Sequence, residues 1–367
     1  MRESILRFTL VIILLCFPSI HCSTNYANST FVTQIDKILQ ETFVSGEPGA
    51  TTIVIKDGIT IYRGAIGMAN IELGVPLKPE MVFRVGSLTK QFTAAAILLL
   101  EEKGKLKLAD TIDKYLPDYP KKQASNITIE HLLTHTSGIF SYTSIPGYMN
   151  SDELRRHLST AELIDVFKDL QPDFAPGEKW QYSNSGYVLL GGIIEEVSRI
   201  SYEDFIQENI FDKLGMRNSH YGSHTKIIPN RASGYEFFST DMTNARFLSM
   251  TQPHAAGSIL SNVDDFATWN RALFSGQILS KTSLQRMTSR VKLNSGEEHG
   301  YGYGLGIREI NGHKMFAHGG GIFGFATFAL HIVDENLFVA VFANSTNRQR
   351  LPGRVAQKIA KLILEEE

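Results

Sequence analysis

The sequence predicts an α/β (α+β) fold: one antiparallel sheet of about five strands, flanked by helices and interrupted by a helical insertion. Three observations carry this. Segments of strand character fall at both ends of the chain, helical periodicity governs the middle, and an amphipathic helix lies near each terminus. The sheet part is expected at about 24–86 and 290–367, and the helical part at about 87–289. A cleft between the two is the natural place for a ligand site.

The elements follow in order. Phe31, Ile35, Ile38, Leu39 and Phe43 recur at helical spacing and predict an amphipathic helix over 30–44. Thr51–Ile55, Asp57-Gly58 and Ile59–Ala65 read as a hairpin with a tight turn. From 87 to 290 helical signals dominate, with capping-box patterns at Ser159-Thr160-Ala161-Glu162 and Ser261-Asn262-Val263-Asp264. Gly104, Gly215 and Gly276 stand where helices would end. The last quarter switches to strand: Tyr301–Ile310, the turn Asn311-Gly312, His313–Ala317, Phe325–Val333 and Leu337–Ala343. A closing helix, Val355–Leu364, follows Pro352-Gly353.

Composition narrows the class. The chain has 367 residues, 43% hydrophobic and 20% charged, which is ordinary for a folded domain and unlike a disordered or collagenous chain. A net charge of −2 shows none of the basic excess of a nucleic-acid binder. Residues 1–23 differ: Arg2 and Arg7 precede the apolar run Phe8–Phe17, followed by Pro18 and Ser19. That is the pattern of a secretory signal peptide, too short in its apolar core for a membrane span, with an uncleaved anchor as the rival reading. The product would be exported, periplasmic or secreted, with no stable membrane span after signal removal; a lipid anchor at Cys22 fits poorly because His21 precedes it. Cys16 and Cys22 both lie in this segment, so the mature domain, 24–367, has no thiol for disulfides, zinc ligation or nucleophilic attack.

Chemistry centres on Ser87-Leu88-Thr89-Lys90, which opens a helix continuing through Phe92, Ala95, Ala96 and Leu99. Residues three apart share a helix face, so Lys90 can reach the Ser87 hydroxyl. A helix N-terminus also supplies N–H groups where an oxyanion would form. Taken alone, the motif also describes an N-cap serine and a surface lysine. Two later motifs change that: Tyr182-Ser183-Asn184 before the Gly186–Val197 helix, and His318-Gly319-Gly320 at the end of the strand Lys314–Ala317.

Ser-x-x-Lys, Tyr-x-Asn and a basic residue-x-Gly, in that order, resemble the serine β-lactamase and penicillin-binding superfamily, on its class C branch. His135-Thr136-Ser137-Gly138, Leu214-Gly215-Met216 and Ala256-Gly257-Ser258 extend the likeness over nearly the whole mature chain. The superfamily includes class C β-lactamases, D-alanyl-D-alanine carboxypeptidases, D-aminopeptidases and esterases. Its fold, a five-stranded antiparallel sheet with helices and a helical region, matches the outline above.

The resemblance implies roles. Ser87 would be the nucleophile and form an acyl-enzyme; Lys90 or Tyr182 would take its proton. Asn184, His318 and Gly320 would contact substrate, and the N–H groups of Ser87 and Gly321 would form the oxyanion hole. No cofactor or metal is implied; the partner is a small-molecule or peptide substrate, and oligomeric state is open. His318 departs from the lysine of β-lactamases and, with an ordinary pKa near 6.5, offers no permanent charge to a substrate carboxylate. The expected function is an exported serine hydrolase acting on small esters or on amides such as D-amino-acid peptides. The alternatives are a penicillin-binding protein or weak β-lactamase, and a non-catalytic binding protein on the same scaffold. Cleft walls are expected at 139–150, 235–254 and 294–300, with Tyr142, Tyr148, Phe237, Phe238 and Phe247 making them partly apolar.

Two other motifs carry less. Gly319-Gly320-Gly321-Ile322-Phe323-Gly324 fits a dinucleotide fingerprint, but strand and not helix is expected after it. His131 and His135 have zinc-protease spacing without a glutamate at 132.

Overall fold

Two tight turns set the register of the main sheet. Asp57-Gly58 and Asn311-Gly312 both have two consecutive positive φ angles (53° and 76°, 48° and 84°). That is the type I′ geometry whose twist matches paired strands. The computed structural model describes residues 24–238 and 241–365, with side chains from Thr30 onward. Residues 1–23, where a signal peptide is expected, with Cys16 and Cys22, lie outside the described residues.

The sheet has six strands where the outline has about five, and they match the six segments of strand character, with Tyr301–Ile310 shortened to Gly306–Ile310. They are β1 (Ala50–Lys56), β2 (Ile59–Ile66), β3 (Gly306–Ile310), β4 (His313–Ile322), β5 (Phe325–Ile332) and β6 (Leu337–Ala343). The order is β3-β4-β5-β6-β1-β2, with every neighbour antiparallel. Strand β4 runs on to Ile322, so His318-Gly319-Gly320 lies within it and not at its end.

The two faces of the central strand β6 bury different cores. Leu337, Val339, Val341 and Ala343 meet the terminal helices α1 (Thr24–Thr42) and α5 (Pro352–Glu365), through Ile35, Phe43, Val355 and Ile359. Phe338, Ala340 and Phe342 face the larger core, which takes in α2 (Thr89–Glu102), α3 (Asn184–Ser198) and α4 (Val263–Phe274). This alternation is the two-residue period of a strand buried on both faces. Helix α2 is apolar nearly all round, from Phe92 to Leu100, and is buried accordingly. Phe92 stacks on Trp269 of α4 at 4.3 Å between centroids.

The middle of the chain also holds strands. Phe83–Arg84, Ile259–Ser261 and His220–Tyr221 form a small sheet, and Tyr235–Phe238 pairs with Asp241–Asn244. The Ser159 capping box forms as expected. At α4 the cap is one residue later: Asn262 accepts from Asp265 N–H at 2.8 Å, while Ser261 is buried against Ser219. Gly104, Gly215 and Gly276 all take the left-handed conformation at helix ends. No helix among the described residues is long and apolar enough to cross a membrane.

Candidate active site

The strand Phe83–Arg84 leads into a single 3-10 turn, Gly86–Leu88, and then directly into α2. Ser87 therefore stands on the turn and Lys90 in the first turn of the helix, three residues on. Gly86 has φ +53°, and a Cβ there would approach Gly321 N to 3.0 Å. The serine turn and strand β4 are in backbone contact.

Lys90 is fully buried. Its Nζ lies 2.8 Å from Asn184 Oδ1, 2.7 Å from Ala256 O and 3.3 Å from Ser87 Oγ. Burial holds its pKa well below the ordinary lysine value. A neutral amine has two hydrogens and one lone pair. In that form the Asn184 and Ala256 oxygens, both pure acceptors, can take the two hydrogens and leave the lone pair for the Ser87 hydroxyl.

Asn184 is fixed from several sides. Its Nδ2 donates to Thr143 Oγ1 at 3.0 Å and its backbone N–H to Ser141 Oγ at 3.1 Å, so Oδ1 is free to accept from Lys90. Ser183 caps α3 by accepting from Gly186 N–H. Tyr182 packs its ring 4.3 Å from that of His135, and Lys90 Nζ sits 4.8 Å from the tyrosine centroid. The Tyr182 hydroxyl is buried and makes no hydrogen bond in this geometry. Burial raises its pKa, and the neighbouring Ser87 hydroxyl works against that rise.

His318 belongs to a chain of side chains that spans three segments. Its Nδ1 is 2.7 Å from Gly319 O, which can only accept, so Nδ1 carries the hydrogen. Its Nε2 then accepts from Tyr301 Oη at 2.9 Å. On the other side, His135 Nδ1 accepts from Ser183 N–H at 3.2 Å, so His135 Nε2 donates to Tyr301 Oη at 3.2 Å. Burial, with Lys90 second, pushes the His318 imidazole down to about 4. His135 is likewise held well below its ordinary value by burial. The resemblance has His318 contacting substrate; here both its nitrogens have partners within the protein.

The glycines of β4 bring the strand close. A Cβ on Gly320 would come within 2.0 Å of Val85 O and 2.3 Å of Thr327 Oγ1, so no side chain fits. At Gly321 an added Cβ meets nothing within 4 Å. The hairpin pairs Ile322 with Phe325 and Gly320 with Thr327, which directs the even-numbered N–H groups of β4 toward β5. Odd-numbered residues pair with β3, which ends opposite Ala317. Gly321 N–H therefore points off the free edge, toward the Ser87 turn.

A cleft of about 490 Å³ opens over Ser87 and Asn184. Tyr142, Phe237 and Phe238 line it as expected. Tyr148 instead donates to Gln252 Oε1 at 2.7 Å, and Phe247 stacks on His224. The expected wall at 294–300 is absent from the lining: Asn294 is bonded to Pro176 O at 3.0 Å. Its place is taken by Ile322, Phe323, Thr346 and Arg348. Within the cleft, Arg246 is held by the buried Glu236 at 3.0 Å and lies over the Phe323 ring.

The two weaker motifs resolve structurally. The glycine run enters strand β5, not a helix. His131 Nδ1 accepts from Thr128 N–H in a capping box, while His135 belongs to the Tyr301 chain. Sequence reasoning missed Tyr301 as part of the site and Ala256 O as an anchor for Lys90. The Ala256-Gly257-Ser258 motif was the available signal for the latter.

A serine on a turn, a buried lysine beside it and a glycine strand edge define a fold of the β-lactamase and transpeptidase class of serine hydrolases. The chain belongs to the Beta-lactamase family, whose model matches residues 35–362. It is 30% identical over 310 residues to a penicillin-binding protein of Bacillus subtilis (strain 168), covering 80% of this chain and 67% of that one. A D-aminopeptidase of Gluconobacter oxydans (strain 621H) is 28% identical over 305 residues, 81% of this chain but only 56% of the relative. Among solved structures, a D-stereospecific amidohydrolase from Streptomyces sp. superposes with a TM-score of 0.76 at 28% identity, covering 90% of this chain and 97% of that one.

Proposed function

We propose that the protein hydrolyses small esters or D-amino-acid amides and peptides through an acyl-enzyme on Ser87. The carrying observation is the Lys90 amine, buried, held by Asn184 Oδ1 and Ala256 O, and 3.3 Å from Ser87 Oγ. In the first step Ser87 Oγ gives its proton to Lys90 and bonds to the substrate carbonyl carbon. The carbonyl oxygen becomes an oxyanion held by the N–H groups of Ser87 and Gly321. Tyr182, whose raised pKa keeps it a phenol at neutral pH, passes a proton to the leaving amine or alcohol as the C–N or C–O bond breaks. Lys90 returns its extra proton to Tyr182. Water then gives a proton to Lys90 as its oxygen bonds to the acyl carbon. That proton passes to Ser87 Oγ as the ester C–O bond breaks, releasing the acid and restoring the Ser87 hydroxyl.

The aromatic wall of Tyr142, Phe237 and Phe238 and the uncharged His318 favour neutral, apolar acyl groups over carboxylate-bearing ones. The D-aminopeptidase and amidohydrolase relatives support the D-amide direction. The Arg2, Arg7 and Phe8–Phe17 pattern supports export. A second reading, acylation by penicillin without turnover, is favoured by the similarity to a penicillin-binding protein.

A substrate panel separates these readings: p-nitrophenyl esters, D-amino-acid p-nitroanilides, nitrocefin and a fluorescent penicillin. Turnover of the esters or anilides, abolished in a folded Ser87→Ala variant, is the expected result. A long-lived penicillin adduct with no turnover selects the second reading. Undiminished hydrolysis by Ser87→Ala overturns the assignment of the nucleophile.

A further inference from the structure

Arg84 and Arg231 line a second cavity, of about 390 Å³, on the other side of Arg246 from the Ser87 cleft. The backbone places them together. Residues 230–232 run beside Val82, with Val82 N–H on Asn230 O at 2.9 Å and Ala232 N–H on Val82 O at 3.0 Å. Arg84 follows Val82 by two residues and so projects from the same face of the strand.

The cavity has three arginines in its walls, Arg84, Arg231 and Arg246, together with His224, and none of its described lining residues is acidic. Arg246 is already matched by Glu236. Arg231 donates only to a carbonyl, Ser223 O at 2.9 Å. Neither Arg84 nor Arg231 has an ion-pair partner among the described residues. Arg84 is half-buried, with its guanidinium 5.8 Å from the Phe325 centroid. Its pKa is pushed down to about 10, by burial first and by the like charge of Arg231 second, with no anionic group opposing.

Arg84, half-buried with no anion beside it, is costly to leave unmatched, and the exposed Arg231 adds a second positive charge at the same cavity. Guanidinium forks bind phosphate through paired, charge-assisted bonds, and a phosphate group carries about −1.5 to −2 charges near neutral pH. Its charge matches the two arginines left over. Phe247 and Phe325 add apolar surface beside the cations.

We propose that Arg84 and Arg231 form a phosphate-binding site, separate from the catalytic cleft, for free phosphate or a phosphoryl group on a small organic molecule. The site is independent of the reaction at Ser87 and needs no turnover to be detected.

The test is calorimetric titration of the whole chain with inorganic phosphate and, separately, with phenyl phosphate, at matched ionic strength. Saturable binding is expected, weakened by about tenfold or more in Arg84→Gln and in Arg231→Gln. Tighter binding of phenyl phosphate points to a phosphoryl group on an organic body; equal binding points to the free ion. If the half-buried Arg84 variant fails to fold, the exposed Arg231→Gln variant decides alone. The proposal is overturned if wild type shows no saturable binding of either probe, or if a folded variant binds like wild type.

Discussion

Tyr301 Oη lies 2.9 Å from His318 Nε2, and the direction of that hydrogen bond is fixed from both ends. Gly319 O forces the hydrogen of His318 onto Nδ1, and Ser183 N–H forces that of His135 onto Nε2. Tyr301 can only accept from His135 and donate to His318. The three groups form one polar chain beside the Tyr182 ring, which contacts the His135 imidazole at 4.3 Å and lies 6.1 Å from that of His318. A fully satisfied buried chain of this kind fixes one arrangement of its members. We assign Tyr301 a positioning role for Tyr182 and His318.

Replacing Tyr301 by phenylalanine keeps the ring and removes both bonds. His135 Nε2–H and His318 Nε2 are then left without partners, which costs about 2–5 kcal/mol for the two groups together. Urea denaturation should show that loss directly. Steady-state kinetics should show kcat falling by more than KM rises, since the displaced group is Tyr182 and not a substrate anchor. A variant with wild-type stability and kcat would remove Tyr301 from the site.

Local chemistry was legible in the sequence, and long-range convergence was not. Asp57-Gly58 and Asn311-Gly312 announce their hairpins because both residues of each pair tolerate positive φ. Ser87 and Lys90 announce each other because three residues is one helical turn. Tyr301, His135 and His318 come from distant segments: motifs mark His135 and His318 separately, but nothing in the sequence joins them through Tyr301. His220–Tyr221 is too short to show any period. The Ala256 carbonyl that anchors Lys90 has no side-chain signature at all.

Lys90 gives the site a pH signature with a definite sign. Its folded pKa is depressed by burial, while its unfolded value is near 10.4. Between those values the unfolded chain holds a proton that the folded chain lacks, so the stability from this group rises with pH and is lost as pH falls. Subtracting the unfolding free energy of Lys90→Met from that of wild type isolates this group. The difference should climb as pH rises toward 10, by up to about 1.4 kcal/mol per pH unit. In the same variant kcat should fall about 10²- to 10⁴-fold, as for loss of a general base. A flat difference across that range would mean that Lys90 stays charged in the fold.

His331 makes the protein sensitive to acid from outside the catalytic site. Its ring stacks on Phe274 at 4.1 Å, its Nδ1 faces Asn270 Nδ2 at 3.1 Å, and burial pushes its pKa down to about 4. Below pH 6.5 the unfolded histidine gains a proton that the buried one refuses, so stability falls from there toward pH 4. At the lower limit the loss from this residue is roughly 3 kcal/mol. Thermal melts of His331→Phe against wild type, at neutral pH and near pH 4.5, measure it: the wild-type drop in Tm should shrink in the variant. Equal drops would place the acid sensitivity elsewhere.

Gly320 and Gly321 are neighbours with opposite expected costs. A Cβ at 320 would sit 2.0 Å from Val85 O and 2.3 Å from Thr327 Oγ1. The first is backbone of the segment leading into Ser87, and Thr327 is itself tied to Val85 O at 2.9 Å, so neither can step aside cheaply. Gly320→Ala must push β4 away from the Ser87 turn, at a cost of about 1–3 kcal/mol for overpacking. Gly321→Ala meets nothing within 4 Å and has no positive φ to strain, so its unfolding midpoint should match wild type. The backbone N–H of 321 survives either change; what Gly320→Ala alters is its distance from Ser87 N–H. Since displacing an oxyanion donor by about 1 Å can cost roughly 10²-fold in rate, kcat should fall far more in Gly320→Ala than in Gly321→Ala. Unfolding midpoints and kcat for the two variants, measured side by side, test the arrangement. A Gly320→Ala protein with wild-type kcat would show that the contact between β4 and the serine turn does not set the catalytic geometry.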